Sequence, residues 1–375
     1  DSAQSYLLVT YHDALQHLHL LTPSRPRARR CGFSVRRMTD TSREPAIHPR
    51  HGRWLPITSQ KTLDACVNFH ARHDDVFICS YPKSGTTWVQ GIVARILTRP
   101  GVGDDKKQRQ FTHVSQVSPF FEIDAHWDLH DGEDTGTMTA DTATTGGKSC
   151  LSQHVKNNHD SLLNGRRCFN THLPYHMMPF VYDPRGAGKT RKMRPKIIHI
   201  QRDGRDCAVS FWHHLKSQSV VDGGFHGGEW DEFFDQWIDG EIVFGSWFDH
   251  QAGREKAKGE SLVSDNCLCL TYEACVLDLR GAVVRIAKHV DAALSEKEIA
   301  DICEKCTFKS MRTELDKYQP VSVRWTDPNF AFIRKGEVGG YKGTFTEQQL
   351  GRFEEEYLKK FSRSPNADHG IGRLH

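Results

Sequence analysis

Lys83, Ser84, Gly85, Thr86 and Thr87 stand consecutively between two apolar segments, a grouping suited to holding a phosphate-like anion. Before them, Val76-Phe77-Ile78-Cys79 reads as a short strand. After them, Trp88, Ile92, Val93, Ile96 and Leu97 recur at helical spacing. In such a strand–turn–helix, a glycine lets the main chain approach an anion and the first helical N–H groups point at it. Lys83 adds a full charge, and Thr86 and Thr87 add hydroxyls. The order is not that of a Mg²⁺-triphosphate loop, G-x-x-x-x-G-K-[ST], because Lys83 precedes Gly85. Taken alone, the stretch is equally compatible with a tight turn that happens to hold a lysine.

Other groups with chemical potential follow strand-like runs. His172, in Asn170-Thr171-His172-Leu173-Pro174, ends the run that begins at Cys168. Imidazole suits proton abstraction from a hydroxyl near neutral pH. The chain holds 22 histidines, so His172 is singled out by its place at a strand's carboxyl end, where open parallel sheets bind ligands. Arg202 follows Lys196–Gln201 and offers a planar fork for a terminal phosphate, with Ser210 one helical stretch later. By itself, Arg202-Asp203-Gly204-Arg205-Asp206 also reads as a self-paired surface cluster. Phe332-Ile333-Arg334-Lys335-Gly336-Glu337-Val338-Gly339-Gly340-Tyr341-Lys342 is a Gly-rich basic run suited to folding over an anion.

These stretches together resemble the cytosolic sulfotransferases. Tyr81–Trp88 resembles that family's 5′-phosphosulfate loop. Arg202 to Ser210 resembles its 3′-phosphate segment, and Arg334-Lys335-Gly336 its C-terminal phosphate signature. Leu270-Thr271-Tyr272-Glu273 resembles the strand end whose Tyr reaches the adenine. Cys306-Thr307-Phe308-Lys309-Ser310-Met311 resembles the segment whose Phe packs on that ring, with Trp88 on its other face. Gly245-Ser246-Trp247-Phe248-Asp249-His250 matches a structural stretch of the family, and the likeness runs from about residue 50 to 361.

The resemblance implies a kinase-related α/β fold and a sulfuryl donor, 3′-phosphoadenosine-5′-phosphosulfate, with no metal. It implies His172 as general base and Lys83 on the leaving phosphate of an in-line displacement. It also implies Phe120 and Phe121, with Asn170 and Thr171, at a small-molecule acceptor's hydroxyl or amine. Three departures stand out. Asn170 replaces a family Lys, and Gly340-Tyr341 stands where Asp-Trp is usual. The family's dimer contact keeps Lys342 and Thr346 but has Glu347 and Gly351 where Val and Glu are usual, which implies a monomer or weak dimer.

The elements that must position these groups alternate strand and helix. Strands are predicted at Val76–Ser80, Cys168–Thr171, Lys196–Gln201 and Cys267–Thr271. Helices are predicted from Thr86, at Asp206–Ser217, Trp230–Ile238, Trp247–Lys258, Ala274–Val290, Ser295 to about Cys306, and Glu347–Phe361. That alternation predicts an α/β fold, a central parallel sheet with helices on both faces. Residues 38–73 and the polar stretch 131–160 are predicted to be irregular, the latter an insertion within a single domain over 38–375. Residues 1–37, rich in Arg and poor in acids, read as a transit-like segment or as sequence upstream of a start at Met38.

A net charge of +3 gives no global case for nucleic acid, so local Lys and Arg clusters must bind any anion. Eleven irregularly spaced cysteines point to buried thiols and a cytoplasmic, reducing setting. Cys303 and Cys306 form a lone C-x-x-C, too little for a zinc site. No run is long enough to span a membrane. Three other functions compete: a kinase, which lacks its phosphate loop here; a nucleotide-binding protein with a dead site, suggested by Asn170; and a glycan sulfotransferase, which would bring an anchor and disulfides. After Phe121, an acidic run from Glu122 to Asp134 is either a solvated loop or a lure for a polar or cationic acceptor.

Overall fold

Val76-Phe77-Ile78-Cys79 carries no charged side chain, and it forms a strand buried on both faces at the centre of the sheet. The computed structural model describes residues 46–48, 52–99, 109–129, 150–179, 195–225, 228–259 and 266–361, all within the unit Ser42–His375. In chain order the strands are β1 (Ala46–His48), β2 (Gly52–Trp54), β3 (Val76–Cys79), β4 (Trp127–Asp128), β5 (Cys150–Leu151), β6 (Cys168–Thr171), β7 (Lys196–Gln201) and β8 (Cys267–Thr271). The helices are α1 (Gln60–Val67), α2 (Thr86–Leu97), α3 (Gln153–Leu163), α4 (Gly204–Ser217), α5 (Trp230–Ile238) and α6 (Trp247–Gly259). After them come α7 (Tyr272–Leu277), α8 (Leu279–His289), α9 (Glu296–Lys305), α10 (Phe308–Thr313) and α11 (Glu347–Phe361).

The central sheet has the order β6-β3-β7-β8, all parallel. Alternate side chains serve two cores, as a period of two requires. Phe77, Phe169 and Ile197 enter an aromatic-rich core shared with α5, α6 and α11. Val76, Ile78, Ile198 and Ile200 enter an aliphatic one shared with α2, α8 and α9. Full burial of each large apolar side chain is worth about 1.5–3 kcal/mol, so these two layers dominate the sheet's stability. From β3 the chain leads outward to β6, and from β7 it leads the other way to β8. A crevice therefore opens at the carboxyl ends of β3 and β7.

Three predictions change. The 38–73 lead-in contains the β1–β2 ladder and α1, which Ser59 caps by accepting from the Thr62 N–H. The polar stretch 131–160 ends in structure: β5 pairs with β4, and α3 begins at Gln153. Its residues 131–149 lie outside the described residues, as do 1–45. The single helix predicted over Ala274–Val290 is two, because Asp278 leaves the helical region and caps α8, accepting from the Gly281 N–H at 2.7 Å. The Ser295 capping box forms as expected, with Glu298 as its partner.

Candidate active site

All four strands of the sheet deliver a residue of interest at their carboxyl ends. β3 runs into the Ser80–Gly85 loop, β6 into His172, β7 into Arg202, and β8 into Tyr272 at the first position of α7. With α10 and the 332–340 loop they line one cavity of about 550 Å³.

The anion loop has an unusual backbone. Lys83 and Gly85 both have positive φ, 66° and 102°. A Cβ on Gly85 would lie 2.8 Å from Tyr272 Cδ2, so only glycine fits there. As N-cap of α2, Gly85 brings no side-chain acceptor. The first-turn N–H groups are thus left for a ligand, at the positive end of the helix. Thr86 and Thr87 line the cavity, and the Thr86 hydroxyl lies 2.5 Å from that of Ser80. Ser84 does not line it. Its side chain is buried against Cys207 at 3.4 Å and its N–H donates to the Tyr81 carbonyl. The expected Ser84 contact to the donor is corrected accordingly.

Three cations crowd this end. Burial pushes Lys83 down to about 7, and Arg202 and Arg334 push it further the same way. Arg334 is likewise lowered by burial and by Arg202. Mutual repulsion of this kind marks a site built for an anion. The Lys83 ammonium rests 4.1 Å from the centre of the Phe332 ring and 3.4 Å from His214 Nδ1. Arg202 reaches the Glu337 carbonyl at 2.7 Å and the Lys83 carbonyl at 3.4 Å, tying the two loops together. Asp206, 3.5 Å from Arg202, accepts from the Gly339 and Tyr341 N–H groups at 2.8 and 3.0 Å. It therefore fixes the Gly-rich run over the site, although it is 133 residues away from Gly339 in sequence. Ser210 lines the same wall, and Lys335 is exposed beside Glu337.

Trp88, Tyr272, Thr307, Phe308 and Met311 line the neighbouring region. Trp88 packs edge-on to Tyr272 at 5.5 Å and donates from its indole to the Cys306 carbonyl. Phe308 lies against Gly336, whose φ is +69° and whose added Cβ would sit 2.5 Å from the ring. The Thr307 hydroxyl is spent capping α10, so it serves the helix and its wall of the cavity together.

His172 is held at the other end. Its Nδ1 lies 2.8 Å from the Ser80 carbonyl oxygen, and a carbonyl only accepts. The proton therefore sits on Nδ1, and Nε2 keeps its lone pair. Burial and then Lys83 push the imidazole down to about 4. Phe120 and Phe244 flank it with ring centres 5.2 and 5.3 Å away, and Leu55, Ile57, Val209 and Phe211 extend that wall.

Two expected acceptor contacts are corrected. Phe121 is in the core among Phe69, Phe77, Phe169 and Trp127, and Thr171 is fully buried, its hydroxyl accepting from the Leu173 N–H. Asn170 lines the cavity but donates its amide to the Ser118 carbonyl at 2.7 Å. In the described part of the acidic run, the Asp124 carboxylate is taken by the Ser59 N–H and the Thr62 hydroxyl, and Asp128 lies in β4; Asp131, Glu133 and Asp134 lie outside the described residues. Neither Asp124 nor Asp128 lines the cavity.

Sequence reasoning did not find Phe244, His214, Phe332 or the role of Asp206. Among the described residues, no group of three or more His, Cys, Asp or Glu side chains could hold a metal ion, and no helix is long and apolar enough to cross a membrane.

The sulfotransferase-domain family model matches residues 73–365. Sulfotransferase 1C2 of Oryctolagus cuniculus is 29% identical over 300 residues, covering 78% of this chain and 85% of the relative. Sulfotransferase 1A1 of Bos taurus is 29% identical over 329 residues, covering 86% and 95%. Among solved structures, mouse sulfotransferase SULT7A1 complexed with PAP matches with a TM-score of 0.57 at 25% identity, over 83% of this chain and 93% of that one. A family model spanning most of the chain, on a sheet whose strand ends carry the anion loop, His172 and Arg202, places this protein in the sulfotransferase family as a sulfuryl-transferring enzyme.

Proposed function

We propose that the enzyme moves a sulfuryl group from 3′-phosphoadenosine-5′-phosphosulfate to the hydroxyl or amine of a small, largely apolar acceptor, with His172 as general base. The observation that carries this reading is the bond from His172 Nδ1 to the Ser80 carbonyl. It leaves the Nε2 lone pair available as a base in the cavity that Lys83 also lines.

The residues present suit such a donor. The donor, when bound, supplies a sulfuryl group on a phosphate leaving group. Lys83, Arg202 and Arg334 bring three positive charges to one end of the cavity, and Gly85 opens the α2 N-terminus to a phosphate. Trp88, Tyr272 and Phe308 provide an aromatic surface for a base.

His172 takes the acceptor's proton on Nε2 while Nδ1–H stays on Ser80. Lys83 meets charge developing on the leaving side, and the α2 N–H groups with Thr86 and Thr87 hold oxygens in place. Phe120, Phe244 and Phe211 exclude water beside His172, which favours an apolar acceptor body.

A transfer assay with radiolabelled donor across neutral phenols, lipophilic alcohols, amines and guanidines tests the acceptor reading. Phenols and alcohols are expected to give the highest kcat/KM. A clear preference for guanidines or polyamines would overturn it.

A further inference from the structure

Residues 119–121 run parallel to β6 as a short extra strand. The Phe121 N–H donates to the Asn170 carbonyl at 2.8 Å, and the Asn170 N–H to the Pro119 carbonyl at 3.1 Å. Continuing a parallel ladder, the next donor along β6, the His172 N–H, would reach the Phe121 carbonyl. That carbonyl is already taken, by the Trp127 indole N–H at 2.7 Å and the Cys66 thiol at 3.4 Å. The His172 N–H goes instead to a side chain, Glu122 Oε1, at 2.6 Å.

Glu122 is fully buried, and its own carbonyl accepts from the Thr58 hydroxyl at 2.6 Å. Burial pushes its carboxyl up to about 8, with the His172 N–H pulling the other way. An ionisable group is costly at such a place, and a leucine would fill the space. What a leucine lacks is an acceptor for a main-chain N–H that the ladder has abandoned. His172 is thus fastened from both neighbouring strands. Ser80, at the end of β3, receives the ring, and Glu122, at the end of the 119–121 strand, receives the main chain.

We propose that Glu122 is a positioning residue for sulfuryl transfer: its carboxyl oxygen replaces the missing strand carbonyl, fixes the His172 backbone and so aims Nε2 into the cavity. The inference rests on the reading of His172 as base. It requires an acceptor oxygen at this point and not a charge.

Glu122→Gln keeps an acceptor oxygen, whereas Glu122→Leu keeps only the volume. The full-length variants are compared with wild type and His172→Ala for kcat, for KM of donor and acceptor, and for thermal protection by 3′-phosphoadenosine-5′-phosphate. E122Q is expected within about threefold of wild-type kcat. E122L is expected to lose kcat on the order of 10- to 100-fold, the scale of a small misplacement of a reacting group, with donor KM and protection unchanged. Wild-type kcat in E122L while H172A is inactive would overturn the proposal and leave the base reading intact. Equal losses in E122Q and E122L would overturn it too. Wild-type activity in H172A would overturn the base reading itself, and this inference with it. Should E122L not fold, Glu122→Asp, which withdraws the oxygen by one methylene, carries the test. A kcat loss there supports the proposal and wild-type kcat refutes it.

Discussion

His172 Nδ1 lies 2.8 Å from the Ser80 carbonyl oxygen, and Ser80 in turn begins the loop that carries Lys83. One strand end thus fixes the tautomer of His172 and leads into the loop that carries Lys83. The two groups are pushed down together, His172 to about 4 and Lys83 to about 7. His172 is a free base above the lower value, and Lys83 is a cation below the upper one.

The pH profile follows from that pair. In the free enzyme kcat/KM for the donor is expected to rise through about pH 4 and to fall above about pH 7, reporting His172 and Lys83 in turn. A bound anion favours both cationic forms, so both limbs of kcat should lie at higher pH than those of kcat/KM. A kcat/KM that stays flat to pH 9 would contradict the role given to Lys83.

Donor recognition is expected to depend on the 3′-phosphate. Arg202 and Arg334 crowd one side of the cavity with Lys335 at its rim. Thermal protection by 3′-phosphoadenosine-5′-phosphate should far exceed that by adenosine 5′-phosphosulfate, which lacks this group. Arg334→Ala should erase most of the difference. Equal protection by both ligands in the wild type would show that these residues read something else.

Gly336 packs against Phe308, next to Arg334 and Lys335 in the chain. Gly336→Ala places a Cβ where Phe308 lies and strains a φ of +69° by about 1–3 kcal/mol. Affinity for 3′-phosphoadenosine-5′-phosphate, read by calorimetry, should fall roughly tenfold or more, the equivalent of at least about 1.4 kcal/mol. The melting temperature without ligand should fall by a few degrees as well, because the ligand-free fold bears the same strain. Unchanged affinity would mean that Phe308 does not contribute to binding.

The four strands of the central sheet were legible because each is a short, largely apolar run, and their carboxyl ends named the site; the two- and three-residue strands β1, β2, β4 and β5 carry no such run. Helices α1 and α3 were not. The buried face of α3 is Val155, His159 and Leu163, and the middle position is a histidine, so no apolar period shows. In α1, Thr62 and Cys66 share the buried face with Leu63 and Ala65, which blurs it in the same way. Phe121 and Thr171 were misassigned because adjacent strand residues point to opposite sides, and a sequence does not say which side faces the ligand. Glu122, Asp206 and His214 act across 50, 133 and 131 residues of chain, on His172, Gly339 and Lys83. No local pattern records such pairings.

Single-turnover transfer from radiolabelled donor to a neutral phenol tests most directly whether His172 is the base of the transfer. Wild type should transfer label to the phenol. His172→Ala should still be protected from heat by 3′-phosphoadenosine-5′-phosphate while its transfer rate falls on the order of 10²- to 10⁴-fold. A His172→Ala enzyme that transfers label at half the wild-type rate or more would contradict the account.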